Sequence, residues 1–371
     1  MDSKILDQLL HNNLFRTVAD KIQNNIRISS EEGLALYESN QIAVLGLLAN
    51  MKRERLNGKN AYFNRNFHIE PTNICLHNCK FCSYRRKKNE EGVWDYSIDD
   101  MLNICRKYVG QGITEVHIVG GVHPDHNLEY NAELIREVKK ILPNAHVKAF
   151  TAVELDYMIK QSGYDWAEGL QHLKEAGLDS IPGGGAEIFD EKIRAEICEQ
   201  KSQSATWLGI HEAAHKQDIP SNATMLYGHI ESYAHRIDHL NRLRELQDKT
   251  GGFNAFIPLK YKKYHNSMRQ IGEVSVVEVL KNFAVCRIIL DNIPHIKSYW
   301  PMLGKELAAI ALSFGADDMD GTIDDTTKIY SMAGAEETNP ALTSDAMVCM
   351  IKEAGFIPIE RDSVYNVVKN Y

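Results

Sequence analysis

The sequence predicts an α/β fold: a (β/α)8 TIM-type barrel with an N-terminal helical extension. Three observations predict it. From Phe67 onward, short apolar runs alternate with amphipathic segments of helical length. Eight such runs occur, the number that a parallel barrel needs. No repeat of fixed period and no low-complexity linker divides the chain. Its 371 residues therefore read as two regions, 1–60 as the helical extension and 61–371 as the barrel with its C-terminal elements.

In the extension, Leu6, Leu9 and Leu10 recur at helical spacing, as do Val44, Leu47 and Leu48. Ser29 and Ser30, followed by Glu31 and Glu32, mark a helix start. The predicted strands are 67–70, 115–119, 146–151, 180–182, 221–226, 253–259, 296–300 and 316–319, with a further strand-like piece at 356–359. Helices are expected between them, among others at 98–110, 128–141 and 231–247. In a barrel of this kind the chemistry sits at the C-terminal ends of the strands, which gives each motif a positional test.

Composition narrows the class. The chain is 44% hydrophobic and 25% charged, as ordinary globular proteins are. Its net charge of −8 lacks the basic footprint of a nucleic-acid binder. Two short basic runs, at 85–88 and 260–263, each read as a solvated loop. The first residues lack the charged-then-apolar plan of a signal peptide. The longest apolar run, 42–49, is too short to span a bilayer. The expectation is a cytoplasmic protein with no membrane partner. Seven cysteines, an odd count, argue against a disulfide framework. Cys105, Cys198, Cys286 and Cys349 are isolated in apolar surroundings and are expected to be buried packing residues.

The other three cysteines carry chemistry. Cys75, Cys79 and Cys82 have the spacing Cys-x3-Cys-x2-Cys and begin just after the first predicted strand. Thiolates are soft ligands that suit iron–sulfur clusters and zinc. Three on one loop can hold three irons of a cubane and leave the fourth open to an outside ligand. A structural zinc site is the alternative, and would draw its fourth ligand from His68 or His77.

With Phe81 preceding the last cysteine, this segment resembles the signature of the radical S-adenosylmethionine superfamily. The resemblance implies a [4Fe–4S] cluster on Cys75, Cys79 and Cys82, and S-adenosyl-L-methionine chelated to the open iron. It implies that Phe81 and Tyr84 border the adenine, and that the backbone of Gly120 and Gly121 binds the cofactor's amino group. Val122 stands where the superfamily has an acid, so only the backbone role carries over. Thr151 and Glu154 are candidates for ribose or amino contacts, with helix capping as the alternative. Gly228 and Glu231 resemble the adenine-proximal motif of the fifth strand. Three glycines, Gly183 to Gly185, form either an anion cradle or a flexible turn.

Longer segments (148–154, 182–189, 221–231, 251–259 and 315–322) are similar to the family of aminofutalosine synthases, transferases of menaquinone biosynthesis. That implies addition of the adenosyl radical to 3-[(1-carboxyvinyl)oxy]benzoate, giving 6-amino-6-deoxyfutalosine. The cyclic dehypoxanthinylfutalosine synthases share the layout and are the alternative. Such chemistry needs a one-electron reductant, such as flavodoxin or ferredoxin. A substrate with two carboxylates needs cationic or N–H partners, and His229 and Lys297 are the candidates at strand ends.

One motif points to another class. His211, Glu212 and His215 fit the His-Glu-x-x-His pattern of zinc hydrolases. Ile219 and Pro220 follow closely, which puts the motif at a helix C-terminus and at the end of the barrel opposite the mouth. Asp317, Asp318 and Asp320 resemble a calcium loop but lack the other ligands of one.

Overall fold

The computed structural model describes residues 13–324, 327–336, 338 and 340–371. Leu6, Leu9 and Leu10 lie outside the described residues. The extension is helical as expected, with helices Asn13–Gln23, Ser30–Glu38 and Ile42–Asn57. Ser29 caps the second of these: its side chain accepts from Glu32 N–H, and Glu32 reaches back to the Ser29 N–H at 2.7 Å.

Ten strands follow: β1 Asn60–Asn64, β2 Asn66–Ile69, β3 Glu115–Ile118, β4 His146–Ala149, β5 Ser221–Tyr227, β6 Phe253–Lys260, β7 His295–Ile296, β8 Asp318–Gly321, β9 Ile357–Arg361 and β10 Val367–Asn370. They form three sheets, β10-β9-β1-β8, β2-β3-β4 and β5-β6-β7, instead of one closed sheet. Every pair is parallel except β9 with β10. Isolated parallel bridges, Lys148 with Ser180, Ile181 with Ser221 and Lys297 with Asp318, tie the sheets to one another.

The differences from expectation have local causes. The fourth predicted strand survives only as two bridges, because Pro182 has no N–H to donate and glycines follow it. The seventh shrinks to two residues because Pro301, in the first turn of helix Trp300–Leu303, turns the chain early. β1 was not expected: an asparagine-flanked segment becomes a strand because β8 and β9 pair with both its edges. Cys105, Cys198 and Cys286 are buried as expected, but Cys349 is exposed, on the outer face of helix Ser344–Glu353.

The strands' apolar side chains make the core together with the inner faces of the helices. Helix Val276–Ile289 is buried continuously from Val279 to Ile289, because Ile42–Asn57 of the extension packs over it. No helix is long and apolar enough to cross a membrane among the described residues.

Candidate active site

The cysteines lie on the long loop between β2 and helix Ile98–Arg106. The loop is fixed by its own backbone: Arg86 N–H donates to Asn73 O at 2.8 Å, and Cys75 N–H to Arg86 O at 3.3 Å. Asn73 staples its far side, donating to Gly92 O and accepting from Trp94 N–H, each at 2.9 Å. Neighbouring elements hold the tip, with Leu76 N–H on Val122 O at 3.0 Å and Lys80 N–H on Ile197 O at 2.8 Å. Gly121 is required here. A Cβ on it would stand 2.1 Å from Ile74 O, so only glycine lets the loop lie against the end of β3.

Cys79 is buried, and Cys75 and Cys82 are half-buried. Val122 N–H points at Cys75 Sγ at 3.4 Å, as a donor to a thiolate would. Burial pushes the Cys75 and Cys79 thiols up from their usual range, so a cationic centre is needed to hold them as thiolates. A thiol triad with no fourth cysteine on its loop fits a multi-iron cluster better than a four-ligand zinc site. Lys201 lies beside it, paired with Glu187 at 2.5 Å and 5.3 Å from the Phe81 ring. Burial opposes its charge, but Glu187, Cys79 and Cys198 around it hold its pKa above the usual value.

Of the predicted cofactor residues, Phe81 and Tyr84 lie on this loop and Gly121 is hydrogen-bonded to it. Tyr84 is buried, edge-on to Trp94, with its hydroxyl donating to Thr72 O at 3.2 Å. Gly120 N–H donates to Glu154 Oε1 at 3.1 Å and Gly121 N–H to Thr72 O at 2.8 Å. Thr151 and Glu154 form a capping box on helix Ala152–Ser162, so the capping alternative is present. Burial brings the Glu154 carboxyl up to about 7. Gly183 belongs to a tight approach rather than to a helix start: a Cβ there would stand 2.7 Å from Asn222 O, and the next helix begins only at Glu191.

After β5 the chain turns at Gly228 (φ +85°), and Glu231 accepts from Gly228 N–H at 2.6 Å and His229 N–H at 2.8 Å. Arg236 pairs with Glu231 at 2.8 Å. Burial would raise the Glu231 carboxyl, but His229, Arg236 and these N–H groups bring it below its usual range. His229 is fully buried. Its Nε2 faces Leu226 O at 3.1 Å and its Nδ1 accepts from Ile230 N–H at 2.7 Å, which commits both nitrogens.

A cavity opens at the C-terminal ends of the strands, with Tyr299 and Tyr330 in its lining. Its wall carries a row that register aligns across three strands: His68 on β2 opposite His117 on β3, and His117 opposite Lys148 on β4. Two buried ion pairs complete it, Lys148 with Glu115 at 2.5 Å and Lys297 with Asp320 at 2.6 Å. Lys297 is therefore a buried wall residue with a partner, and His229 does not reach the wall. Burial would raise Glu115, but Lys148 and Lys297 hold it well below the carboxylate range. Burial lowers His68 to about 4 and takes His117 well below its usual value, so both imidazoles are neutral. His117 Nε2 makes no hydrogen bond among the described residues. Sequence reading did not place His68, His117, Lys148 or Asp320 in a shared cavity wall. The available signal was polar residues at matching positions of otherwise apolar strands.

His211, Glu212 and His215 lie at the end of helix Ser204–His215, as expected. Both imidazoles face Ser221 Oγ, at 2.7 and 2.8 Å, and His215 Nδ1 faces Thr250 Oγ1 at 2.7 Å. Glu212 pairs with Lys216 and Lys249, each at 2.7 Å. Ser221 opens β5, so this is the end away from the cavity; His211 Nδ1 and both His215 nitrogens are paired, while His211 Nε2 is buried with no hydrogen-bond partner among the described residues. The three aspartates of 317–320 each have a side-chain partner: Asp317 with His295, Asp318 with Arg361 and Asp320 with Lys297.

A thiol triad at the strand ends, beside a cavity whose wall carries two buried ion pairs, fits an enzyme that uses an iron–sulfur cluster and S-adenosylmethionine. Comparison with known proteins agrees: residues 69–243 match the Radical SAM superfamily and residues 250–370 the CofH/MqnC C-terminal region. The chain is 43% identical to the aminodeoxyfutalosine synthase of Thermus thermophilus over 356 residues, 95% of each chain. It is 40% identical to the aminodeoxyfutalosine synthase of Streptomyces coelicolor over 368 residues, 96% of this chain and 95% of that one. The chain belongs to the radical SAM superfamily and, within it, to the aminodeoxyfutalosine synthase family. The crystal structure of methylornithine synthase shares its fold, with a TM-score of 0.74 at 16% identity, covering 92% of this chain and 97% of that one.

Proposed function

We propose that this chain is a transferase that adds the 5′-deoxyadenosyl group of S-adenosylmethionine to the vinyl ether carbon of 3-[(1-carboxyvinyl)oxy]benzoate, and that rearrangement and loss of the enolpyruvyl carboxylate then give 6-amino-6-deoxyfutalosine, with methionine released. The observation that carries the reading is identity of 40–43% to two aminodeoxyfutalosine synthases over nearly the whole chain, with the thiol loop and cavity in place. Cys75, Cys79 and Cys82 would hold the [4Fe–4S] cluster. When bound, the cluster supplies the electron that splits S-adenosylmethionine into methionine and a 5′-deoxyadenosyl radical.

The chain's own residues do the rest. The Gly120–Gly121 turn supports the loop, and Phe81, Tyr84, Gly228 and Glu231 shape the adenine side. Thr151 and Glu154 brace the end of β3 through the Gly120 N–H. Lys148 and Lys297 offer positive charge to the substrate carboxylates from the cavity wall, while Tyr299 and Tyr330 line the cavity and exclude water. The neutral imidazoles of His68 and His117 can exchange a proton with substrate there. We read the three bridged sheets as one eight-stranded barrel over 61–371, with 1–60 as the helical extension, and place the enzyme in the cytoplasm with a one-electron protein donor.

Anaerobic reconstitution with S-adenosylmethionine and the enolpyruvyl benzoate, followed by mass spectrometry, tests the reaction. A product that retains the adenosine moiety supports it. Free 5′-deoxyadenosine with a cyclised futalosine, when dehypoxanthine futalosine is offered, would assign the sister reaction instead.

A further inference from the structure

We propose that the rim of the opening beside Cys79 and Cys82 is the docking face for an acidic one-electron carrier protein. The proposal rests on the cluster reading above and says where its electron enters.

Two basic runs that are distant in sequence meet at this opening. The segment Ser83–Lys88 follows the last cysteine, and 260–269 follows β6. They are fastened together: Ser83 Oγ donates to Tyr264 O at 2.6 Å, Ser267 N–H to Lys80 O at 2.9 Å, and Asn266 Nδ2 to Ser83 Oγ at 3.4 Å. The opening, about 630 Å³ in volume, is walled by Cys79 and Cys82 on one side and by Arg85, Arg86, Lys263 and Arg269 on the other, with no carboxylate in its wall.

Among the described residues, no ion pair neutralises Arg85, Arg86, Lys263 or Arg269. Arg86 is held by carbonyl groups, those of Ser83 and Arg85 at 2.9 Å each and of Glu91 at 3.2 Å. Arg85 Nε is buried with no hydrogen-bond partner. Glu273 takes Lys260 at 2.9 Å and Lys262 at 3.6 Å but leaves Lys263, which lies over the Tyr264 ring. Lys87 and Lys88 add exposed charge, and Glu90 and Glu91 at the tip of their loop offset part of it. Leu76 and Tyr264, 46% and 49% exposed, supply apolar contact beside the charges. On a chain of net charge −8, this is a concentrated positive field.

The position says what the field is for. The wall of the opening is made by two of the cluster's own ligands, so a carrier seated there approaches the cluster through sulfur. The step is a transfer of one electron: the carrier is oxidised by one electron and the cluster reduced by one, with no bond formed and no proton moved. A negatively charged carrier would be steered to this face at long range and released after transfer.

The test uses the reconstituted holoenzyme with S-adenosylmethionine, and reads 5′-deoxyadenosine formed under two reductants: reduced flavodoxin, which is acidic, and reduced methyl viologen, a small cation. Two charge-reversal variants are compared with wild type, Lys87→Glu/Lys88→Glu and Lys263→Glu/Arg269→Glu. The flavodoxin-driven rate at limiting flavodoxin should fall about tenfold or more in each, and its steep decrease with added salt should flatten. The viologen-driven rate should not fall, which also reports that fold and cluster are intact. An unchanged flavodoxin-driven rate would overturn the proposal. So would an equal fall with viologen, which would assign these residues to the cofactor site. No deoxyadenosine from wild type with either reductant would defeat the cluster reading itself, and the proposal with it.

Discussion

The two ends of the strands each carry a motif that suggests a metal, and they differ in how far its donor atoms are paired with neighbouring side chains. At the N-terminal end, His211 and His215 share Ser221, and Glu212 is divided between Lys216 and Lys249, which leaves only His211 Nε2 unpaired. At the C-terminal end, Cys75 Sγ accepts from Val122 N–H, and no hydrogen bond joins a thiol of Cys75, Cys79 or Cys82 to a side chain among the described residues, while the loop that carries them is pinned by backbone bonds at both flanks. A ligand motif has chemical meaning where the protein fixes the backbone and keeps other side chains off the donors. Where most donors pair with neighbouring side chains, the same residue types are packing.

The largest effect should come from Cys79→Ala. It removes an uncommitted donor, and iron content, cluster absorbance and deoxyadenosine formation should all be lost. Lys297→Ala comes next. It leaves Asp320 buried without its cation, which should cost about 3–5 kcal/mol by denaturant unfolding. Substrate binding should weaken while S-adenosylmethionine binding is kept. Unchanged substrate affinity in the Lys297→Ala/Asp320→Ala double variant would remove the pair from the substrate site.

Glu70 sharpens the comparison at the mouth. Burial brings its carboxyl up to about 7, while Thr327 Oγ1 and Lys328 N–H donate to it at 2.7 and 3.0 Å. Between pH 4.5 and 7 the folded chain keeps a proton that the unfolded chain releases, so this group's contribution to stability falls as pH rises through that window. Glu70→Gln should remove that dependence. The metal-free variant should gain on wild type by about 3 kcal/mol between pH 4.5 and pH 8, read from denaturation midpoints. Equal pH profiles would show the carboxyl to be solvated.

Gly121→Ala should push the cysteine loop off β3, at a cost of about 1–3 kcal/mol and with lower iron per chain. The smallest effect should be that of Glu212→Gln, within about 0.5 kcal/mol in stability and with activity unchanged. Loss of activity with fold and cluster intact would restore the hydrolase reading.

The thiol loop was legible in the sequence because its ligands are close neighbours on one segment. The wall of the cavity was not. His68, His117 and Lys148 are each single polar residues on separate strands, and only the register of β2, β3 and β4 puts them in a row. The same limit explains β1, whose strand conformation comes from pairing with β8 and β9 at the far end of the sequence. It also explains Lys297, whose place at a strand end was legible and whose burial against Asp320 was not. The basic runs read singly as solvated loops, and their meeting at the cysteines is a property of the fold.

The most direct test of the central claim is electron paramagnetic resonance and mass spectrometry on one anaerobic sample of reconstituted, reduced enzyme mixed with S-adenosylmethionine and the enolpyruvyl benzoate. The account predicts the signal of a reduced [4Fe–4S] cluster that changes when S-adenosylmethionine is added, and a product mass that includes adenosine. Zinc in place of iron on Cys75, Cys79 and Cys82, with no reducible cluster and no nucleoside product, would contradict it.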